Sequence, residues 1–255
     1  MGLFSGIYKA IAREIANLQP VTNTGYMLHR ANYKGTDDAA LIEQAYMTNA
    51  DMYSLIQMDV KKFASIPVNT YKVKTDGKKF FDAYRRHHKS YRGKATIEMQ
   101  RKALEEIDEN NEISKLLRRP NPYQGADQFW MTVRGFYDLT GESFIWKKRQ
   151  GEDGTGKVEA LYCLPTQFML VVGSEVPTVD GMYMVDGYVL RINGRDYNIP
   201  KADIIHWKGW NPEFDMVTRE QLRGMSPLRP LMRTITAGND ATDAMVAMYQ
   251  NGGAK

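Results

Sequence analysis

The sequence has almost no cysteine. Cys163 stands alone among 255 residues, which excludes an intrachain disulfide and fits a reducing compartment. Histidine is scarce as well. His29 is isolated, His87 and His88 are adjacent and so cannot share a helix face, and His206 lies between Ile205 and Trp207 in a strand-like run, where a hydrogen-bonded structural role is expected. One thiol and four scattered imidazoles form no zinc pattern, and no metal or cofactor site is expected. Cys163 has no motif around it and reads as a buried, inert thiol. No stretch approaches 18 uninterrupted apolar residues, so no membrane-spanning helix is expected. The first twenty residues lack the charged start and small-residue cleavage site of a signal peptide. Gly6 also stands where an N-myristoylation motif needs Ser or Thr. A strong charge of one sign is missing too. The net charge of +4 permits contact with nucleic acid without arguing for it.

What is present is the composition of a folded protein, 43% hydrophobic and 25% charged, long enough for one large domain or two. Leu3, Phe4, Ile7, Ile11, Ile15 and Leu18 recur at helical spacing and predict an amphipathic helix over 3–18, ended by Pro20. Residues 21–36 read as an irregular linker. A helix is predicted over 37–66, opened by Asp37 or Asp38, with Tyr53, Ile56, Val60 and Phe63 on one stripe and Pro67 as its stop. "VNTYKVK" alternates as a strand does. A basic run from Lys78 to Lys94, with Tyr84 and Tyr91 among the charges, reads as a solvated surface loop; its alternative is a nucleic-acid-binding module gripping a phosphate backbone. A charged helix is predicted over 96–117 and a buried aromatic one over 125–140, with Phe129, Trp130, Val133, Phe136 and Tyr137 inward.

Between these two helices lies "RRPNPYQ". Pro120 and Pro122 deny two N–H groups and bar helix for the residues before them, and Asn121 suits the turn between. The loop reads as a fixed corner between helices. From 143 to 210 the period changes to two, predicting five or six antiparallel strands with turns at Gly151–Gly156, Gly173–Pro177 and Asn193–Gly194. The last helix is predicted from Ser226 as N-cap and Pro227 as first helical residue to a stop at Gly252. "GEDGTGKV" carries Gly151, Gly156 and Lys157 at the spacing of a phosphate-binding loop, the basis of an alternative reading as a nucleotide hydrolase. Val158 replaces the magnesium-ligating Ser or Thr, and the loop leads from strand to strand, so it reads as a hairpin turn. Carboxylate pairs such as Asp37–Asp38 and Glu105–Glu106 read as solvated surface. No catalytic constellation is present, and no enzymatic activity is expected.

The order of motifs resembles one family. A helix ends in "LLRRPNPYQ", and "FWMTVRGFYDLTGESFIW" follows; then come "VEALYCLPTQFMLVV", "DIIHWKGW", "LRGMSPLRPLMRTI" and a helix ending in "AMYQNGG". "MGLFSGIYKAI" and "KKFASIPVNTYK" add to the likeness, which runs over nearly the whole chain. These motifs resemble the portal proteins of tailed bacteriophages, of the HK97 type. The most specific parts are Arg119, Pro120, Asn121, Pro122, Tyr123 and Gln124, with Leu139–Gly141, and the turn holding Gly224, Ser226 and Pro227.

The resemblance implies an α+β fold: a wing domain over 1–225, in which helices pack with an antiparallel β region (143–210), and a first stem helix over 226–255. It implies a homo-oligomeric ring, usually of twelve copies, at one capsid vertex, assembled in the bacterial host cytoplasm. The ring passes double-stranded DNA during packaging and ejection. Its implied partners are the major capsid protein, the terminase large subunit and later the head-tail adaptor, with no membrane. Chains of the family continue past the stem helix with a clip, a second stem helix and a crown, so the 255 residues are expected to be the N-terminal part of a longer product. A channel that releases DNA should offer acidic or small polar groups rather than phosphate-gripping cations. Asn239, Asp240, Thr242 and Asp243 are therefore the candidates for lining the channel or a subunit interface.

Overall fold

The computed structural model describes residues 38–87, 94–107, 111–150, 156–174, 185–213 and 220–252. The helix expected over 3–18 and the linker over 21–36 lie outside them. Ile66–Ala126 forms one compact unit, and the other described residues form a second, larger one. The span 1–225 expected for the wing thus draws on both.

The larger unit opens with α1 (Asp38–Leu41), which runs into a π-helical turn (Ile42–Met47), and then α2 (Ala50–Ala64). One continuous helix over 37–66 does not form. Thr48 donates its hydroxyl to the Glu43 carbonyl at 2.8 Å, and the Asn49 side chain accepts the Met52 N–H at 3.0 Å as a new N-cap. Short polar side chains that bond nearby backbone compete with helix continuation in this way. Ile56, Val60 and Ala64 face inward on α2, while Tyr53 of the predicted stripe is 47% exposed. A later helix, Ala126–Thr140, buries Phe129 and Val133 completely.

Two three-stranded antiparallel sheets follow. The first places Glu142–Arg149 between Val158–Leu164 and Ile204–Lys208; the second places Val185–Ile192 between Met169–Gly173 and Arg195–Pro200. Phe144, Leu164, Met169, Tyr188 and Ile204 join the sheets in one apolar cluster. Asn193 and Gly194 both have positive φ, at 52° and 73°, which suits a two-residue hairpin turn. Leu41, Ala45, Ile56, Val60, Leu139, Leu228, Met232 and Ile235 form a second cluster, in which the helices meet the base of the final helix, Met232–Gln250.

That final helix starts later than its sequence predicts. Pro227 and Leu228 form a turn, Arg229–Leu231 is a short 3-10 helix, and α-helix begins at Met232. The Ser226 hydroxyl does accept the Leu228 N–H at 3.0 Å, but it also donates to the Leu139 carbonyl at 2.5 Å. Pro230 disfavours α conformation at Arg229. Gly252, at φ 76°, stands just past the helix end, the usual place for a left-handed cap.

In chain order, the smaller unit holds β1 (Tyr71–Val73), α3 (Lys78–His87), α4 (Lys94–Ala103), β2 (Leu104–Glu106) and α5 (Glu112–Arg118). Two expectations change here. The described part of the basic run is helical rather than loop, and the helix expected over 96–117 is split by a strand. β2 pairs antiparallel with β1, the Lys74 N–H bonds the Ala103 carbonyl at 3.0 Å, and the Ile107 N–H bonds the Thr70 carbonyl at 3.1 Å. This partner outside the local sequence overrides the helical preference of Leu104, Glu105 and Glu106. A Cβ on Gly77 would lie 2.6 Å from the Ala103 carbonyl oxygen, so only glycine lets the two backbones approach.

With the larger unit's helices and strands continuing the numbering, Ala126–Thr140 is α6, Met232–Gln250 is α7, and the strands from Glu142 to Lys208 are β3 to β8 in order.

Candidate functional site

A buried polar cluster lies where α6 turns into β3. Residues 139–145 are all buried. Gly141 has φ +81°, and a Cβ there would sit 2.1 Å from the Met225 carbonyl oxygen; a Cβ on Gly224 would sit 2.2 Å from the Gly141 carbonyl oxygen. Two backbone segments therefore touch, and a side chain at either position would part them. The Gly141 carbonyl accepts the Gly209 N–H at 2.8 Å, and the Ser143 hydroxyl donates to the Val133 carbonyl at 2.5 Å.

Glu142 anchors this contact although its side chain is only 1% exposed. Its Oε2 accepts the Gly224 N–H at 2.8 Å and lies 2.9 Å from His206 Nε2. Its Oε1 accepts from Arg223 Nε at 2.8 Å. Arg223 Nη2 also reaches Asp38 Oδ2 at 2.6 Å, and the His206 ring stacks on Phe144 with centroids 4.4 Å apart. Burial pushes the Glu142 carboxyl upward, but the His206 hydrogen bond, the Arg223 charge and the Gly224 N–H together hold it below the usual carboxylate range. The Arg223 guanidinium is held above its ordinary value: burial opposes this, and the charges of Glu142 and Asp38 outweigh it. The cluster ties four chain segments together. Its donors and acceptors are engaged with one another, so what it holds is backbone.

Both halves of this contact, Leu139–Gly141 and the turn at Gly224, Ser226 and Pro227, stand out in the sequence; the carboxylate between them does not. Glu142 draws no notice in the sequence, and Asp38 reads as solvated surface. Glycines beside Glu142 and Arg223 were the available signal. His206 does take the hydrogen-bonded place its strand setting suggests.

The loop at 119–124 is fixed locally. Asn121 is buried, and its Oδ1 accepts the N–H groups of Tyr123 at 3.0 Å and Gln124 at 2.9 Å. Its Nδ2 donates to Gln124 Oε1 at 3.0 Å, and Arg119 Nη2 reaches the Pro122 carbonyl at 3.4 Å. This is an Asx turn. Pro120 is fully buried, whereas Tyr123 is 84% exposed.

Of the four α7 candidates, Asp240, Thr242 and Asp243 are exposed and Asn239 is buried. Asp240 and Asp243 are both exposed and three residues apart, hence on one side of the helix. Asn239 is buried within its own chain. Its Nδ2 donates to the Gln44 carbonyl at 2.9 Å, and its Oδ1 accepts from Asn49 at 2.9 Å. Thr242 is exposed but donates its hydroxyl to the Gly238 carbonyl at 2.8 Å. Beyond Asn239 every residue from Asp240 to Gln250 is exposed, including Met245, Met248 and Tyr249.

The segment 151–157 connects two paired strands. Residues 151–155 lie outside the described set. Gly156 and Lys157 close back on Gln150 through two backbone bonds, and β3 pairs with β4 directly. Burial pushes the Cys163 thiol up to about 12. Among the described residues no group of His, Cys, Asp and Glu could hold a metal ion, and no helix is long and apolar enough to cross a membrane.

Fold and site together define an α+β protein whose buried polar cluster fastens a sheet to the segment that leads into a long helix. A family model described as phage portal protein matches residues 90–255, more than half of the chain. The chain belongs to the phage portal protein family. Similar solved structures include a chain from the neck of an empty GTA particle computed with C6 symmetry, at TM-score 0.59 and 18% identity over 90% of this chain and 50% of that one. Another comes from the neck of a native GTA particle computed with C12 symmetry, at TM-score 0.58 and 19% identity over 89% of this chain and 48% of that one. A third comes from the virion of a native gene transfer agent particle, at TM-score 0.57 and 18% identity over 98% and 52%. The chain spans about half the length of the solved chains it matches. No curated protein matches it. Membership in the family places the chain at the capsid vertex of a virion.

Proposed function

We propose that this chain supplies the wing and first stem helix of a portal subunit, with α7 as that stem helix. Copies close into a ring, usually of twelve, through which double-stranded DNA enters the capsid and later leaves. The role is structural rather than enzymatic. The ring is the docking site for the terminase large subunit and then the head-tail adaptor, and it sits among copies of the major capsid protein.

The observation that carries this reading is α7 itself. Its foot is buried through Met232, Ile235 and Asn239, yet the eleven residues from Asp240 to Gln250 touch nothing deeply enough to be covered. A free helical segment of that length is marginal in water, since isolated helices shorter than roughly 12–15 residues seldom hold. Packing against neighbouring helices supplies what it lacks. At about 3.6 residues per turn, Met245 and Met248 lie on the side away from Asp243. An apolar side for neighbours and an acidic side for the channel or a subunit interface is an arrangement suited to DNA that must slide and not bind.

Electron microscopy of the negatively stained full-length product tests the proposal. Rings with a central hole are the expected result; compact particles without a hole reject it. In the assembled ring, Asp240 and Asp243 should face the channel or an adjacent copy. Both carboxylates on the outer, capsid-facing surface would overturn that assignment.

A further inference from the structure

The charge of this chain is segregated. α3 and α4 carry seven lysines and arginines against two acids, Asp82 and Glu98, a net of +5, whereas the whole chain carries +4. The arginines of the larger unit are mostly paired: Arg134, Arg149, Arg191, Arg223 and Arg229 each hold a carboxylate. In the smaller unit Lys74, Lys78, Lys79, Arg101 and Lys102 are all exposed, and among the described residues none of them is paired with a carboxylate.

The fold gathers these five cations. Gly77 touches the Ala103 carbonyl, so the first turn of α3 lies beside the last turn of α4. Lys74 Nζ donates to the Arg101 carbonyl at 3.1 Å, and Lys102 Nζ lies 5.9 Å from the centroid of the Phe80 ring. Arg101 and Lys102 suit the negative end of α4. Lys78 and Lys79 do not suit the positive end of α3, whose first turn holds no acid and whose nearest preceding one is Asp76 in the 3-10 turn before it. There they oppose the helix dipole, which points to a task other than folding.

We propose that this basic end of the α3–α4 pair is a docking surface for the phosphate backbone of double-stranded DNA; it draws on the portal reading only for the presence of DNA. Five cations outnumber Asp76, the acid between Lys74 and Lys78, and match a continuous row of phosphates better than a single anion. Because they reach only phosphates, the contact reads no sequence.

Binding of the whole protein to a closed circular duplex, which cannot be threaded through a preformed ring, tests the surface. The logarithm of affinity should fall against the logarithm of salt with a slope of about −4 to −5 for five phosphate contacts. Lys78→Gln/Lys79→Gln and Arg101→Gln/Lys102→Gln should each weaken binding and flatten that slope by about 2. Melting temperatures should be unchanged, and Lys201→Gln in the larger unit should leave the slope alone. No binding at low salt, or an unaltered slope in both double variants, overturns the proposal. So does polyglutamate competing as well as DNA of equal charge, which would assign an acidic protein partner. Patch-dependent binding without rings would reject only the ring, and rings whose DNA binding ignores the patch would reject only this surface.

Discussion

Glu142 shows what one residue does here. Breaking a buried charge pair by removing one partner typically costs about 3–5 kcal/mol, and Glu142 holds Arg223, His206 and the Gly224 N–H at once. Glu142→Gln should therefore lower stability by about that amount near neutral pH, read by urea unfolding. The folded carboxyl titrates below its ordinary value, so the folded state binds fewer protons than the unfolded one. Its stabilisation is present above the ordinary carboxylate value of 4.5 and is lost as pH falls through the depressed one. The gap between wild type and variant should then close on acidification; a gap constant from neutral to strongly acidic pH would refute the assignment. Gly141→Ala meets both a left-handed backbone and the Met225 carbonyl at 2.1 Å. A loss above about 3 kcal/mol is expected from strain and clash combined, and a loss below about 1 kcal/mol would show that the two segments can part cheaply. Asn121→Ala removes the acceptor for two loop N–H groups and should cost about 1–3 kcal/mol, measured by the same unfolding curves. The sequence exposed the glycines and Asn121, because turn residues carry their conformation with them. It hid Glu142, because a buried and a solvated glutamate look alike in one dimension.

At the scale of elements, errors of reading fall where distant contacts compete with local preference. Residues 37–66 have helical periodicity throughout, yet the helix breaks at Thr48 and Asn49 so that Asn49 can cap α2 and also bond Asn239 of α7. Asn49→Ala should cost at least the ~1 kcal/mol of a lost N-cap. It should also loosen the foot of α7, seen as faster amide exchange at Met232–Asn239; unchanged exchange there would deny the coupling. Residues 96–117 are strong helix formers, yet Leu104–Glu106 goes to a strand because β1 offers a partner. By contrast, α6, the described strands from Glu142 to Lys208 and the turn at Asn193–Gly194 lie where local period and turn residues put them, while the turns expected at Gly151–Gly156 and Gly173–Pro177 fall largely outside the described residues. α7 is helical for most of the predicted length, but which of its residues are covered depended on Gln44 and Asn49, nearly 200 positions away.

At the scale of the whole molecule, the exposed half of α7 makes assembly the main question. Met245→Ser/Met248→Ser/Tyr249→Ser should leave the melting temperature of dissociated subunits unchanged, because all three side chains are already exposed, while abolishing rings in the full-length product by mass measurement. Rings that persist in that variant would remove the apolar side of α7 from the subunit contact. A ring built head to tail closes only if one surface of each copy fits another surface of the next, so loss of a single helix face is enough to prevent closure.

The sequence by itself determined the α+β class, the hairpin at Asn193–Gly194, the turn at Asn121 in "RRPNPYQ" and the family to which the motifs belong. Each depends on residues near one another in the chain. Tertiary structure alone decided that Gly141 and Gly224 press together, that Glu142 is a buried pin and not a surface charge, that Asn239 faces inward while Asp240 and Asp243 remain in water, and that five cations converge at one end of α3 and α4. Those outcomes depend on which distant segment arrives at a residue, and burial, pairing and charge clustering are properties of that arrival.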